Sequence, residues 1–208
     1  IGPKAKTFAA AGFVVASVNY RLAPVSGPPN ACSDIAAALA YLRHLAPDIS
    51  ADPDRIVLMG HSAGAHLAAL LVADERYLGD YPELAQSIRA LVLLDGSAYD
   101  VPQMMQSERG QDYAGVFGDD EKLWQEVSPR HHAEGRTGMP PALLIYADED
   151  EIRRESATWL GAAIERGGSR VTILSAPEKD HHSVDEDLAD PNDRITMEVM
   201  RFLRQALE

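Results

Sequence analysis

A serine stands between two glycines at Gly60-His61-Ser62-Ala63-Gly64, directly after the apolar run Ile56-Val57-Leu58-Met59 and directly before an Ala/Leu-rich stretch with helical spacing. That order reads as strand, sharp turn and helix, with the serine at the apex. Such a turn puts the serine in a strained backbone conformation and projects its hydroxyl away from the sheet. Gly60 and Gly64 are expected to permit it, because a Cβ at either place would collide with the neighbouring strand or helix. The Ala63 N–H lies in the first helical turn, where it can donate to a negatively charged oxygen as an oxyanion-hole group.

A serine hydroxyl is a weak nucleophile without a general base, and the base needs an acid to orient it. Folds that use this turn carry the three in the order serine, acid, histidine. The acid candidates follow the short apolar run Ala142-Leu143-Leu144-Ile145-Tyr146, in Ala147-Asp148-Glu149-Asp150-Glu151. A strand that ends in an acidic loop places carboxylates at the carboxyl edge of a parallel sheet, where such sites form. Asp150 is the first candidate and Asp148 its rival; Glu149 and Glu151 read as solvated acids. The histidine candidates follow Val171-Thr172-Ile173-Leu174, in Lys179-Asp180-His181-His182. His181 is the first candidate base and His182 the alternative. The pair His131-His132 precedes the Ala142–Tyr146 run, so the expected order disfavours it. No carboxylate or cysteine at ligand spacing turns either histidine pair into a metal site, and neither a metal nor a cofactor is expected.

Upstream, Phe13-Val14-Val15-Ala16-Ser17-Val18-Asn19 reads as a strand running into the polar turn Tyr20-Arg21-Leu22-Ala23-Pro24. With the Gly60–Gly64 turn, this run closely resembles the α/β-hydrolase fold. Within that fold it is similar to the esterase/lipase branch related to hormone-sensitive lipase, the small carboxylesterases and the arylformamidases. Val116-Phe117-Gly118 and Ser128-Pro129 resemble the segment before the acid strand in these enzymes. The resemblance covers essentially the whole chain. It implies Ser62 as nucleophile, Asp150 as acid and His181 as base. Ala147 stands where the family's acid loop usually has glycine, and His182 where the family has an aromatic residue after the histidine. Tyr20 and Arg21 are expected to buttress the floor of the site.

Enzymes of this branch carry a His-Gly-Gly-Gly-type loop whose backbone N–H groups supply most of the oxyanion hole, and this sequence contains no such run. Ile1-Gly2-Pro3-Lys4 reads as part of the helix after that loop, so the strand before the loop is missing too. By the resemblance, that strand lies between the Phe13–Asn19 strand and the Ile56–Gly60 strand. Two arrangements follow: a fragment of a longer protein, which is favoured, or direct pairing of the two strands. Each lost oxyanion donor would remove about 3–4 kcal/mol of transition-state stabilisation.

The net charge of −13, with 32 acidic against 19 basic residues, argues against nucleic acid or an anionic membrane as partner. One cysteine, Cys32, excludes an internal disulfide. No apolar stretch approaches the roughly 18 residues of a membrane span, and no signal peptide is visible. The compartment stays open, with the cytoplasm favoured. A chain of 208 residues is expected to form one domain.

Helices are expected over Asp34–His44 (capped by Ser33 or Asp34), Ala63–Ala73, Glu151–Arg166 and Asp193–Ala206, and a further strand over Ala90–Asp95. Alternating strands and helices mean a mainly parallel sheet covered on both faces, apparently lacking the family's first strands. The region 96–141 is the least regular. It is read as a small cap over the site, against an ordinary connection whose aromatic residues complete the core. Of Met104 and Met105, at most one is expected to line a pocket.

The resulting expectation is a carboxylesterase-type serine hydrolase acting on small esters with short acyl chains. Arylformamidase and acetyl or feruloyl esterase activities are the enzyme alternatives. Outside enzymes, the missing oxyanion loop raises a hydrolase-like binding domain, against which the retained Ser62, Asp150 and His181 weigh. A lipid-surface lipase is disfavoured by the acidic surface. The family's use of the last strand and helix to pair subunits makes a homodimer compatible with the sequence.

Overall fold

The computed structural model describes residues 2–147, 150–177 and 179–208; Ile1, the rival acid Asp148, Glu149 and Glu178 lie outside the described residues. In chain order the helices are α1 (Gly2–Ala10), α2 (Pro28–Leu45), α3 (Ala63–Ala73), α4 (Pro82–Ser87), α5 (Val101–Gln106), α6 (Gly110–Phe117), α7 (Glu121–Glu126), α8 (Pro129–Ala133), α9 (Glu151–Arg166), α10 (Ser183–Glu186) and α11 (Arg194–Leu207). The strands are β1 (Ile56–His61), β2 (Ile88–Leu94), β3 (Ala142–Ala147) and β4 (Val171–Ala176). Among the described residues they form one sheet in the order β1-β2-β3-β4, with every pair parallel. Among the described residues no helix is long and apolar enough to cross a membrane.

The two central strands are apolar on both sides because both faces of the sheet are covered. Leu91, Leu93, Ala142 and Leu144 face a core built with Leu67, Leu70, Leu71, Leu160 and Ile164 of α3 and α9. The alternate residues Ala90, Val92, Leu94, Leu143 and Ile145 face Phe8 of α1 and Ile195, Val199 and Phe202 of α11. The period-2 alternation of the strands thus meets the 3.6-residue stripes of the helices on opposite sides. Helix ends follow their caps. The Asp150 side chain accepts from Arg153 N–H at the start of α9, and Asp193 accepts from Ile195 and Thr196 N–H at the start of α11.

The structure departs from the sequence expectations at three places. Residues 13–19 form no strand: the segment is irregular and Val14 and Val15 are exposed. It does not pair with β1, so the direct pairing of the two strands is not realised, and β1 stands at the edge of the sheet. Next, α2 begins at Pro28 rather than at Asp34, because proline's fixed φ suits the first helical position after Gly27. Asp34 is therefore mid-helix; its carboxylate receives Arg21 Nε and Nη2 as a fork, at 2.8 Å each for the closest contacts. Arg21 thereby fastens the irregular segment to α2, while Tyr20 packs partly buried against the core.

The third correction concerns Gly64. A Cβ on Gly60 would lie 2.2 Å from the Gly64 carbonyl oxygen, as expected for a strand crowded by its own following helix. A Cβ on Gly64 meets nothing within 4 Å. Only Gly60 is sterically required.

The region 96–141 folds as four short helices, α5 to α8. Phe117, Val127 and Met104 are buried in the core that also contains α3, and Met105 packs against it partly buried. The Phe117 ring packs against the His66 ring of α3 at 5.6 Å, and the Tyr113 ring stacks on Phe117.

Candidate active site

The site begins with β1, which delivers the chain to a turn at Ser62. Ser62 has φ 54° and ψ −117°, a conformation a side-chain-bearing residue adopts only under constraint. The constraint is visible on both sides. Ser62 N–H donates to the Leu94 carbonyl of β2 at 2.9 Å, and the Ser62 carbonyl accepts from Ala65 and His66 N–H as α3 begins. Ser62 is half-buried and Ala63 exposed. The N–H groups of Ala63 and Gly64 open the helix and so have no intrahelical acceptor. They point with the positive end of the helix dipole.

His181 reaches the same sheet edge from the loop after β4. That loop is held at several points. Lys179 Nζ bridges Asp187 at 2.5 Å and Asp193 at 2.6 Å. Asp180 accepts from the His182 and Ser183 N–H groups, which lowers its carboxyl below the ordinary range. His61 Nε2 donates to the His181 carbonyl at 2.6 Å, and the two rings lie 4.5 Å apart. Burial pushes the His61 imidazole below its usual pKa, which favours the neutral ring. His182, the alternative base, is exposed.

The carboxylate in contact with His181 is not the one that chain order indicates. His181 Nδ1 meets Asp95 Oδ2 at 2.6 Å. Asp95 is fully buried immediately after β2, with φ 51°. Asp150 is not brought to His181. It caps α9, and its Oδ2 binds Arg109 Nη1 at 2.8 Å and also Arg153 Nη1. Two guanidinium groups therefore claim the carboxylate that the chain order had pointed to. In the sequence Asp95 stands as the last residue of the expected Ala90–Asp95 strand. Its signal was a charged residue closing an otherwise continuous apolar run at the edge that carries Ser62.

An open cleft of about 840 Å³ adjoins His181, with Arg109, Ala147, Asp150, Arg153 and Lys179 among its lining. Ser62 is not among its lining residues. His61, Asp95 and His181 offer ligand atoms within 4.8 Å of one another. Each is already engaged: His61 with the His181 carbonyl, and Asp95 with His181, Arg153 and the Ala147 N–H. An ion there would have to displace the contacts that orient His181.

One further histidine bears on stability. His66 is buried on α3, where its ring nitrogens lie near the Ala98 and Val127 backbone but make no well-aligned hydrogen bond among the described residues. Desolvation lowers its pKa to about 4. Between the ordinary histidine value and about 4, the unfolded chain therefore binds a proton that the folded protein refuses. Stability is full above pH ~6.5 and falls as pH drops toward 4, by on the order of 3 kcal/mol. Urea melts at pH 7 and pH 4.5 are expected to show this loss, and His66→Leu to reduce the difference. An equally steep pH dependence in the variant would assign it to other groups.

The BD-FAE family model matches residues 2–158, well over half of the chain. The chain belongs to the BD-FAE family. It is 25% identical over 186 residues to the esterase LipQ of Mycobacterium tuberculosis, covering 84% of this chain and 43% of LipQ. It is 28% identical over 162 residues to the kynurenine formamidase-like hydrolase fscH of Fusarium equiseti, covering 66% of this chain and 52% of fscH. The chain thus spans about half the length of these curated relatives. EstE1, a thermostable carboxylesterase cloned from a metagenomic library, superposes with a TM-score of 0.74 at 24% identity, over 99% of this chain and 72% of EstE1. The fold of this BD-FAE member is the α/β-hydrolase fold, as the sequence resemblance implied.

Proposed function

We propose that this BD-FAE member is a serine hydrolase that cleaves small carboxylic esters through an acyl-enzyme. The observation that carries the reading is the backbone of Ser62. A serine at φ 54° between a buried strand and a helix N-terminus is strain with a purpose, since it lifts the hydroxyl clear of the sheet beside free N–H groups. His181 is the base. With Nδ1 engaged by a carboxylate, Nε2 is the nitrogen left to take the Ser62 proton. The Ser62 oxygen then attacks the ester carbonyl, and the Ala63 N–H donates to the oxyanion. Collapse expels the alcohol with the proton from His181. Water, deprotonated by His181, releases the acid and restores Ser62.

Hydrolysis of p-nitrophenyl acetate and octanoate by this chain and by Ser62→Ala tests the proposal. The expected result is turnover that favours acetate and disappears with the hydroxyl. Turnover undiminished in Ser62→Ala would refute it. The likeness to fscH supports a second reading, cleavage of an aryl formamide by the same groups. An N-formyl arylamine hydrolysed faster than the acetate ester would favour it.

A further inference from the structure

We propose that Asp95, at the end of β2, is the carboxylate that orients His181, and that Asp150 acts one step behind it by holding Arg153. The inference rests on the reading of Ser62 and His181 as nucleophile and base.

Four observations carry it. First, the contact itself: Asp95 Oδ2 lies 2.6 Å from His181 Nδ1, the nitrogen that must be held if Nε2 is to face the serine. Second, Asp95 has no freedom to turn elsewhere. Its Oδ1 accepts the Ala147 N–H at 2.7 Å and its own N–H donates to the Ile145 carbonyl at 2.7 Å. The side chain is thus locked into β3, the adjacent strand. Third, Arg153 Nε lies 3.0 Å from Asp95 Oδ2 and also donates to the Asp95 carbonyl. A fully buried carboxylate is costly without such a cation, and Arg153 is itself buried. Fourth, Asp150 takes the other end of Arg153 and the guanidinium of Arg109.

The result is an alternating line of charge: His181, Asp95, Arg153, Asp150, Arg109. Proton transfer from Ser62 places a positive charge at the first position, 2.6 Å from Asp95. The register puts the acid close to the nucleophile. Leu94, which precedes Asp95, receives the Ser62 N–H, so nucleophile and acid occupy adjacent strand ends.

The test compares Asp95→Asn with Asp150→Asn on p-nitrophenyl acetate, with kcat, KM and the pH profile of kcat/KM for each. Asp95→Asn is expected to lower kcat roughly a thousand- to ten-thousand-fold with KM within a few-fold, because the amide presents His181 with the wrong hydrogen-bonding partner. Its acid limb should move to lower pH, since the charge favouring the imidazolium is gone. Asp150→Asn is expected to lower kcat about tenfold and leave the acid limb in place. If both lose a thousand-fold, the variant whose acid limb moves marks the carboxylate on His181. A moved limb in Asp150→Asn alone, or a small effect of Asp95→Asn, overturns the proposal. If Asp95→Asn fails to fold, Asp150→Asn decides alone: a thousand-fold loss with a moved limb overturns it, and a tenfold loss with a fixed limb supports it. Absence of hydrolysis in the unsubstituted chain would instead fail the parent reading of Ser62 and His181.

Discussion

Ser62→Ala and His181→Ala are each expected to lower kcat by about a million-fold, and the double substitution to lower it no further. The reason is that the two side chains form one device. Without the base, the hydroxyl keeps its proton; without the hydroxyl, the base has nothing to activate. What survives is catalysis by bound geometry and by the N–H groups at the start of α3, which neither substitution touches. A pre-steady-state burst of p-nitrophenol is expected from the unsubstituted chain and should vanish in all three variants. Losses that multiply in the double variant would mean that Ser62 and His181 act in separate steps.

Gly60→Ala is expected to destabilise the fold by about 3 kcal/mol or more, while Gly64→Ala is accommodated. The two glycines look equivalent in sequence, flanking the same serine. In the fold they are not. The Gly60 Cβ would sit 2.2 Å from the Gly64 carbonyl and 2.6 Å from the Ala65 nitrogen, both backbone atoms of α3 that cannot move without unwinding the turn. Gly64 faces open space and lies in a helix, where alanine is the better helix former. Thermal melts of the two variants check this, and equal losses would contradict the steric account. Because Gly60 and Gly64 flank Ser62 in the same turn, Gly60→Ala should also lose activity in whatever fraction remains folded.

Much of the scaffold was legible because its signals were local. Helix α3 has the bounds Ala63–Ala73 that its Ala/Leu spacing indicated, and α9 runs Glu151–Arg166 from an aspartate cap to a glycine pair. The strand runs that precede Ser62, the acidic loop and His181 are strands, lengthened by a residue or two at their ends. The failures share a physical cause: each depends on what lies across space. Residues 13–19 have the β-branched content of a strand but no strand partner among the described residues, and a strand exists only through its ladder. Asp150 sits in the loop where chain order points, yet its charge is taken by Arg109 and Arg153, which sequence spacing cannot forecast. The contact of Asp95 with His181 joins residues 86 apart, beyond what local sequence patterns encode. The helices of 96–141 show the same dependence, since Phe117 and Met104 lie in the core with α3.

Serine hydrolase chemistry here depends on the reactivity of one hydroxyl, that of Ser62. The measurement is mass spectrometry of this chain after exposure to a fluorophosphonate, which bonds covalently to an activated serine and leaves ordinary hydroxyls untouched. One adduct per chain is expected, on the peptide containing Ser62, and none in His181→Ala. An unmodified Ser62 in folded protein, or an adduct formed equally well without His181, would contradict it.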